Sequence, residues 1–148
     1  MEDFEKSPLA QRQRPLEALH DCLRRGGDGE EALWQVVIAH QDCLYRTASG
    51  LPFSYRVKRK KDGSYSGELL ISRKEDSKTL TKSSVLLAYR RVTRHTGDAP
   101  WEPMLFKGPK AIGQIFGISY IYSLFWNWQL LQVPERLLEK LQPEKAEL

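Results

Sequence analysis

Phe53-Ser54-Tyr55-Arg56-Val57-Lys58, Lys60-Lys61-Asp62-Gly63 and Tyr65-Ser66-Gly67-Glu68-Leu69-Leu70-Ile71-Ser72 form the stretch whose reading decides the fold. Apolar Phe53, Tyr55 and Val57 alternate with polar Ser54, Arg56 and Lys58, the period-2 pattern of a half-buried strand. Asp62-Gly63 supplies turn chemistry, and the alternation then resumes. Tyr65, Leu69 and Ile71 share one face, while Ser66, Glu68 and Ser72 share the other. The stretch predicts a β-hairpin with one apolar and one basic face. Two strands alone are marginal in water, so the apolar face must lie on helices.

Helical spacing surrounds the hairpin. Upstream, Pro15 suits a first helical position, Leu16, Leu19, His20 and Leu23 follow on one face, and Gly26-Gly27 ends the helix. Asp28 and Glu31 have capping-box spacing for a second helix running to about Ala48, with Leu33, Trp34, Val37, Ile38 and Leu44 on its apolar side. Gly50 is its natural terminator, and the short Gly-rich link makes the two helices an antiparallel pair.

Downstream, Thr79 or Thr81 caps a third helix that ends near Gly97. Val85, Ala88, Tyr89 and Val92 form its buried stripe, with Arg90, Arg91 and Arg94 facing away. The stretch Gly97–Gly108 reads as a loop pinned to the core by Trp101, Met104, Leu105 and Phe106. Pro109 opens a fourth helix, apolar nearly all round apart from Ser119, Ser123 and Asn127, which belongs at the centre of the domain. Pro134 precedes a short amphipathic helix carrying Leu137, Leu138 and Leu141. The expected fold is α+β: two N-terminal helices, a β-hairpin, an amphipathic helix and a largely buried C-terminal helix. It forms a single domain over residues 1–148, with ends fraying at about 1–8 and 142–148.

Composition narrows the class. Apolar residues make up 41% of the chain and charged residues 28%, a balance that excludes general disorder. The acidic start, Met1 to Glu5, does not resemble a secretory signal. Two cysteines, Cys22 and Cys43, are too few for a disulfide framework and fit the reduced thiols of a cytoplasmic protein. Ala111–Val133 lacks charge and is long enough to span a bilayer, but Gln114, Asn127, Gln129 and Gln132 would be costly in hydrocarbon. No membrane association is expected.

Charge is unevenly placed. Residues 1–50 hold 6 basic and 9 acidic side chains, residues 51–110 hold 14 and 6, and residues 111–148 hold 3 and 4. The whole positive excess of +4 therefore arises in the middle. A localised positive region is the footprint of a surface for polyanions. Its candidate contacts are Arg56, Lys58, Lys60 and Lys61 near the hairpin turn, Arg73, Lys74, Lys78 and Lys82 beyond the second strand, and Arg90, Arg91 and Arg94 along the third helix. Lys107 and Lys110 flank Gly108-Pro109 at an expected helix start, a place suited to an anion.

Other motifs are weaker. Gly113 and Gly117 fit close packing in the core, or the turn of a helix-turn-helix with helices at Lys110–Phe116 and from Ser119 onward. Ser123 departs from that motif, and Tyr120–Leu131 lacks the Lys and Arg that a recognition helix needs for phosphates. His20 and Cys22 lie two apart on a helix and cannot both face one metal ion with His40 and Cys43. His95 at a helix end is explained by solvation. No phosphate loop, nucleophile elbow or carboxylate cluster is present, so no catalytic residue, metal or cofactor is expected. The expected function is that of a small non-enzymatic nucleic-acid-binding or regulatory accessory protein. The alternative is an interaction module or inhibitor whose basic face meets an acidic protein, anchored by the Pro100–Phe106 loop.

Overall fold

The computed structural model describes residues 8–95 and 97–143; the expected fraying at 1–8 and 142–148, apart from residues 8, 142 and 143, lies outside them. The fold is α+β, and the chain divides into two compact units. One contains the chain up to Gln41 together with His95–Glu102; the other contains Asp42–Arg94 and the chain from Pro103 onward.

The first unit is a packed helix pair, α1 (Pro8–Arg24) and α2 (Glu30–Ala39). Leu19 and Leu23 of α1 are buried, as are Leu33, Trp34, Val36 and Val37 of α2. Trp101 is buried too, its ring meeting that of His20 edge-on at 5.8 Å. Pro8 takes the first helical position, so Pro15 lies inside α1 and forfeits one intrahelical hydrogen bond. Asp28 Oδ1 accepts the N–H of Glu30 at the entrance to α2.

Helix α2 stops at Ala39, well short of Ala48. The chain turns at Asp42, whose φ is +63°, and Tyr45–Arg46 becomes strand β1 of the second unit. Tyr45 stacks on Phe53 and Tyr55 there, and Asp42 N–H donates to the Tyr55 carbonyl. Aromatic burial and strand pairing override the local helical spacing that includes Leu44.

The hairpin forms as expected from β2 (Pro52–Arg59) and β3 (Tyr65–Arg73), pairing Tyr55 with Ile71 and Val57 with Leu69. Gly63 takes φ +89°, and Asp62 Oδ1 accepts the Ser64 N–H across the turn. The hairpin is the middle of a larger sheet: β1 adds on one side and β4 (Ser77–Thr81) on the other, giving the antiparallel order β1-β2-β3-β4. Strand β4 occupies residues assigned from sequence to the approach of the third helix. Thr81 then caps α3 (Lys82–Val92), its hydroxyl accepting the Ser84 N–H. The expected stripe of Val85, Ala88, Tyr89 and Val92 is buried, although α3 ends before Gly97.

The uncharged run is not one helix. Pro109–Ala111 makes a single 3₁₀ turn, residues 112–117 are irregular, and α4 begins at Ile118 and ends at Asn127. Strand β6 (Leu131–Gln132) follows, pairing in parallel with β5 (Met104–Leu105), and α5 (Glu135–Leu141) closes the described chain. Gly113 and Gly117 explain the late start, since their φ values of +149° and +77° leave the right-handed helical region. The first helix of the helix-turn-helix reading is therefore absent. No helix among the described residues is long and apolar enough to cross a membrane.

Helix α4 covers the inner face of the sheet. Tyr120 meets Phe53 edge-on, Trp128 meets Tyr55, and Phe125 links Trp128 to Tyr89 of α3. Ser123 is fully buried, and its hydroxyl donates to the Arg46 carbonyl of β1. Buried Tyr122 donates to the Phe106 carbonyl, which ties the segment after β5 to α4.

Burial pushes the Tyr122 phenol up to about 12. Its contribution to stability is therefore complete below its ordinary value near 10 and lost as pH rises through 12. Tyr122→Phe should reduce stability by about 1 kcal/mol at neutral pH and remove this residue's share of the alkaline loss, both read from urea unfolding across pH. Ser123→Ala, which leaves the Arg46 carbonyl without this donor, should cost about 1–3 kcal/mol in the same assay.

Candidate nucleic-acid interface

Strand parity sorts the cations. On β2, Phe53, Tyr55 and Val57 are buried on the inner face, so Ser54, Arg56 and Lys58 point to the outer one. Arg56 lies in the row Arg56–Leu70–Thr79 and is paired with Asp42 at 3.1 Å. Lys60 and Lys61 are exposed at the hairpin tip. Arg59, the last residue of β2, is used within the hairpin: it lies over the Tyr65 ring at 4.3 Å and donates to the Gly63 carbonyl.

Arg73 and Lys78 belong to the opposite parity. Arg73 is opposite Phe53 and Lys78 opposite Ile71, so both emerge at the rim of the face that α4 covers. Arg73 is clamped from two sides, by the Asp76 carboxylate and by the Tyr120 hydroxyl at 2.9 Å. The ammonium of Lys78 is 5.3 Å from the centre of the Phe116 ring. Lys74 is exposed beside Arg73, and the stem of half-buried Lys82 lies against Gly67.

Arg90, Arg91 and Arg94 are exposed. The buried stripe of α3 joins the helical layer through Tyr89 and Phe125, so Arg90 and Arg91 leave that layer away from the outer face of the sheet. Arg91 is folded onto the following loop, donating to the Ile112 carbonyl at 3.2 Å. The hairpin cations Arg56 and Lys58 and the helical arginines thus lie on opposite sides of the sheet. They do not make one surface.

A different grouping surrounds the first turn of α4. A cleft of about 400 Å³ is lined by Lys107, Arg136 and Lys140 together with the hydroxyl residues Thr47, Ser49 and Ser119. No carboxylate residue is among its lining residues. Its walls are tied together through backbone: Arg136 donates to the Lys107 carbonyl at 2.9 Å, and Arg46 to the carbonyls of Gly50 and Glu139. A neighbouring hollow continues along Lys107–Ala111 to Ile118 and Ser119, adding Lys110. On the other side of the same turn, Tyr120 lines a third hollow with Leu51, Arg73, Lys74, Glu75 and Asp76.

Lys107, Lys110, Arg73 and Lys74, expected as contacts from sequence, are therefore gathered around one helix turn. Arg136 and Lys140 line the same cleft but were not among the contacts expected from sequence. They lie four apart on α5, one turn of helix, but the slightly acidic balance of the C-terminal segment concealed them. The loop after Gly97 is pinned by Trp101 and partly by Phe106, but not by Met104 and Leu105. Trp101 is buried, Phe106 is half-buried, and Met104 and Leu105 are exposed, so Trp101 is not available as a docking anchor. Among the described residues, no group of three or more His, Cys, Asp and Glu converges on a point.

No protein-family model, curated protein or solved structure matches this chain. The site is therefore defined by its own geometry.

Both glycines of the 112–117 loop are places of close approach. A Cβ on Gly113 would lie 1.7 Å from Arg91 Nη1, and one on Gly117 would lie 2.0 Å from Leu80 Cδ2. Gly117→Ala combines that clash with a left-handed φ and should lower stability by more than about 1 kcal/mol, measured by thermal and urea unfolding.

Proposed function

We propose that this protein is a non-enzymatic nucleic-acid-binding accessory protein that holds the phosphate backbone at the surface around the first turn of α4. One observation carries the reading: three cations and three hydroxyl-bearing residues line a single cleft with no carboxylate among them. Phosphate oxygens accept from ammonium, guanidinium and hydroxyl groups alike, and such contacts position a backbone without reading bases. Lys110 extends the positive surface along the neighbouring hollow, whereas Arg73 and Lys74 share theirs with Glu75 and Asp76 and add no net charge. The cleft lacks an imidazole or carboxylate lining residue to serve as acid or base, which supports binding over chemistry.

An acidic protein is the second reading. It is favoured by Leu51, which is 64% exposed beside Arg73 and Lys74 and could serve a protein interface. A partner recovered equally well after nuclease treatment would support it.

Fluorescence anisotropy with a labelled oligonucleotide tests the first reading. Affinity should fall steeply between ~50 and ~200 mM salt, because each phosphate contact releases condensed counterions. The paired change Lys107→Glu with Arg136→Glu should weaken binding by about tenfold or more. Lys60→Glu with Lys61→Glu at the hairpin tip should leave affinity within about twofold. Absence of binding at ~50 mM salt, or binding indifferent to salt, overturns the proposal.

A further inference from the structure

We infer that Phe116 is a base-stacking platform, which makes the ligand of this surface single-stranded nucleic acid. The inference rests on the phosphate-binding reading above and adds the form of the strand. Phe116 is 59% exposed and is the one aromatic among the large exposed apolar side chains of the described residues. Its exposure is built into the loop. Ile112 and Ile115 point inward and are buried, Arg91 holds the Ile112 carbonyl and fills the space beside Gly113, and Leu80 fills the space beside Gly117. With both flanks occupied, the ring of Phe116 is turned outward.

Its neighbourhood suits a nucleotide. The ammonium of Lys78 sits over one face of the ring, 5.3 Å from its centre, so a base would stack on the opposite face with that charge across the ring from it. Ile118 and Ser119, two and three residues on, line the hollow that leads through Lys110 to Lys107. Phe116 lies outside that hollow's lining, so a strand would pass from the ring across Gly117 to reach Lys110 and Lys107. An aromatic ring and cations are the two elements of sequence-tolerant single-strand binding. A duplex keeps its bases stacked internally and cannot lay one on the ring. A protein hot spot would want a wider apolar patch, whereas Phe116 stands with a cation over one of its faces.

Three labelled probes separate the possibilities in anisotropy titrations: an oligothymidylate of about 12 nucleotides, its abasic counterpart with the same phosphates, and a duplex of equal length. The single strand should bind about tenfold or more tighter than either of the others. Phe116→Ala should erase that preference while leaving the salt dependence unchanged, and Phe116→Trp should retain it. Circular dichroism should show both variants folded, as expected for a solvent-facing ring. Equal affinity for single-stranded and abasic probes, or an unaltered affinity in Phe116→Ala, overturns the stacking role and leaves phosphate binding standing. Failure of all three probes to bind at ~50 mM salt overturns both readings.

Discussion

The layer of aromatic rings between the four-stranded sheet and α4 is the contact on which the second unit depends. Phe53 and Tyr55 project from β2 with nothing in their own strand to cover them, and Tyr120 and Trp128 supply the covering rings at either end of α4. Phe125 extends the layer to Tyr89, which brings α3 into the same core. Such rings bury large areas, and edge-on contacts add a modest term of their own. A helix with Ile121, Tyr122, Ser123, Leu124 and Phe125 all buried has few other places to go. The sheet face and the helix each solve the other's exposure to water.

Two polar contacts fix how that layer is threaded. Ser123 cannot be hydrated at its depth, so its hydroxyl takes the Arg46 carbonyl and joins α4 to the edge strand β1. Tyr122 does the same for the Phe106 carbonyl, one residue before Lys107. The position of the basic cleft thus follows from the core. Its cations stand on segments anchored to α4, and Arg46, through the Glu139 carbonyl, brings the short helix α5 alongside.

The pleat of the sheet explains why a charge-rich middle segment does not produce one charged surface. Successive side chains of a strand leave on opposite faces, so cations two residues apart stay together while those an odd number apart separate. Arg56 and Lys58 fall outside, Arg73 and Lys78 at the rim of the covered face, and Arg91 folds back onto the Ile112 carbonyl. Charge counted along the chain has no such parity. The grouping around α4 instead draws cations from three separate stretches, near residues 73, 107 and 136.

Local patterns were legible wherever the decisive contacts were close in sequence. The hairpin and its Asp62-Gly63 turn, a threonine cap at Thr79 or Thr81, the buried stripe of α3 and the short helix α5 could all be read from spacing and turn chemistry, the structure choosing Thr81 for the cap. The Gly108-Pro109 step between Lys107 and Lys110 was legible as a turn signal for the same reason, although it opens a single 3₁₀ turn and not the expected helix. Elements that needed a distant partner were not. Tyr45 left an apparent helix to stack on Phe53, and β4 formed because β3 offered it an edge. Helix α4 started late because Gly113 and Gly117 took positive φ, with Leu80 packed where a side chain on Gly117 would lie. Arg136 and Phe116 joined the candidate site only through the folding of α5 and of the 112–117 loop. Sequence by itself determined which segments prefer strand or helix, since those preferences arise from neighbouring residues and their period. Tertiary structure alone decided where segments end and which cations meet, because both depend on packing between residues far apart in the chain.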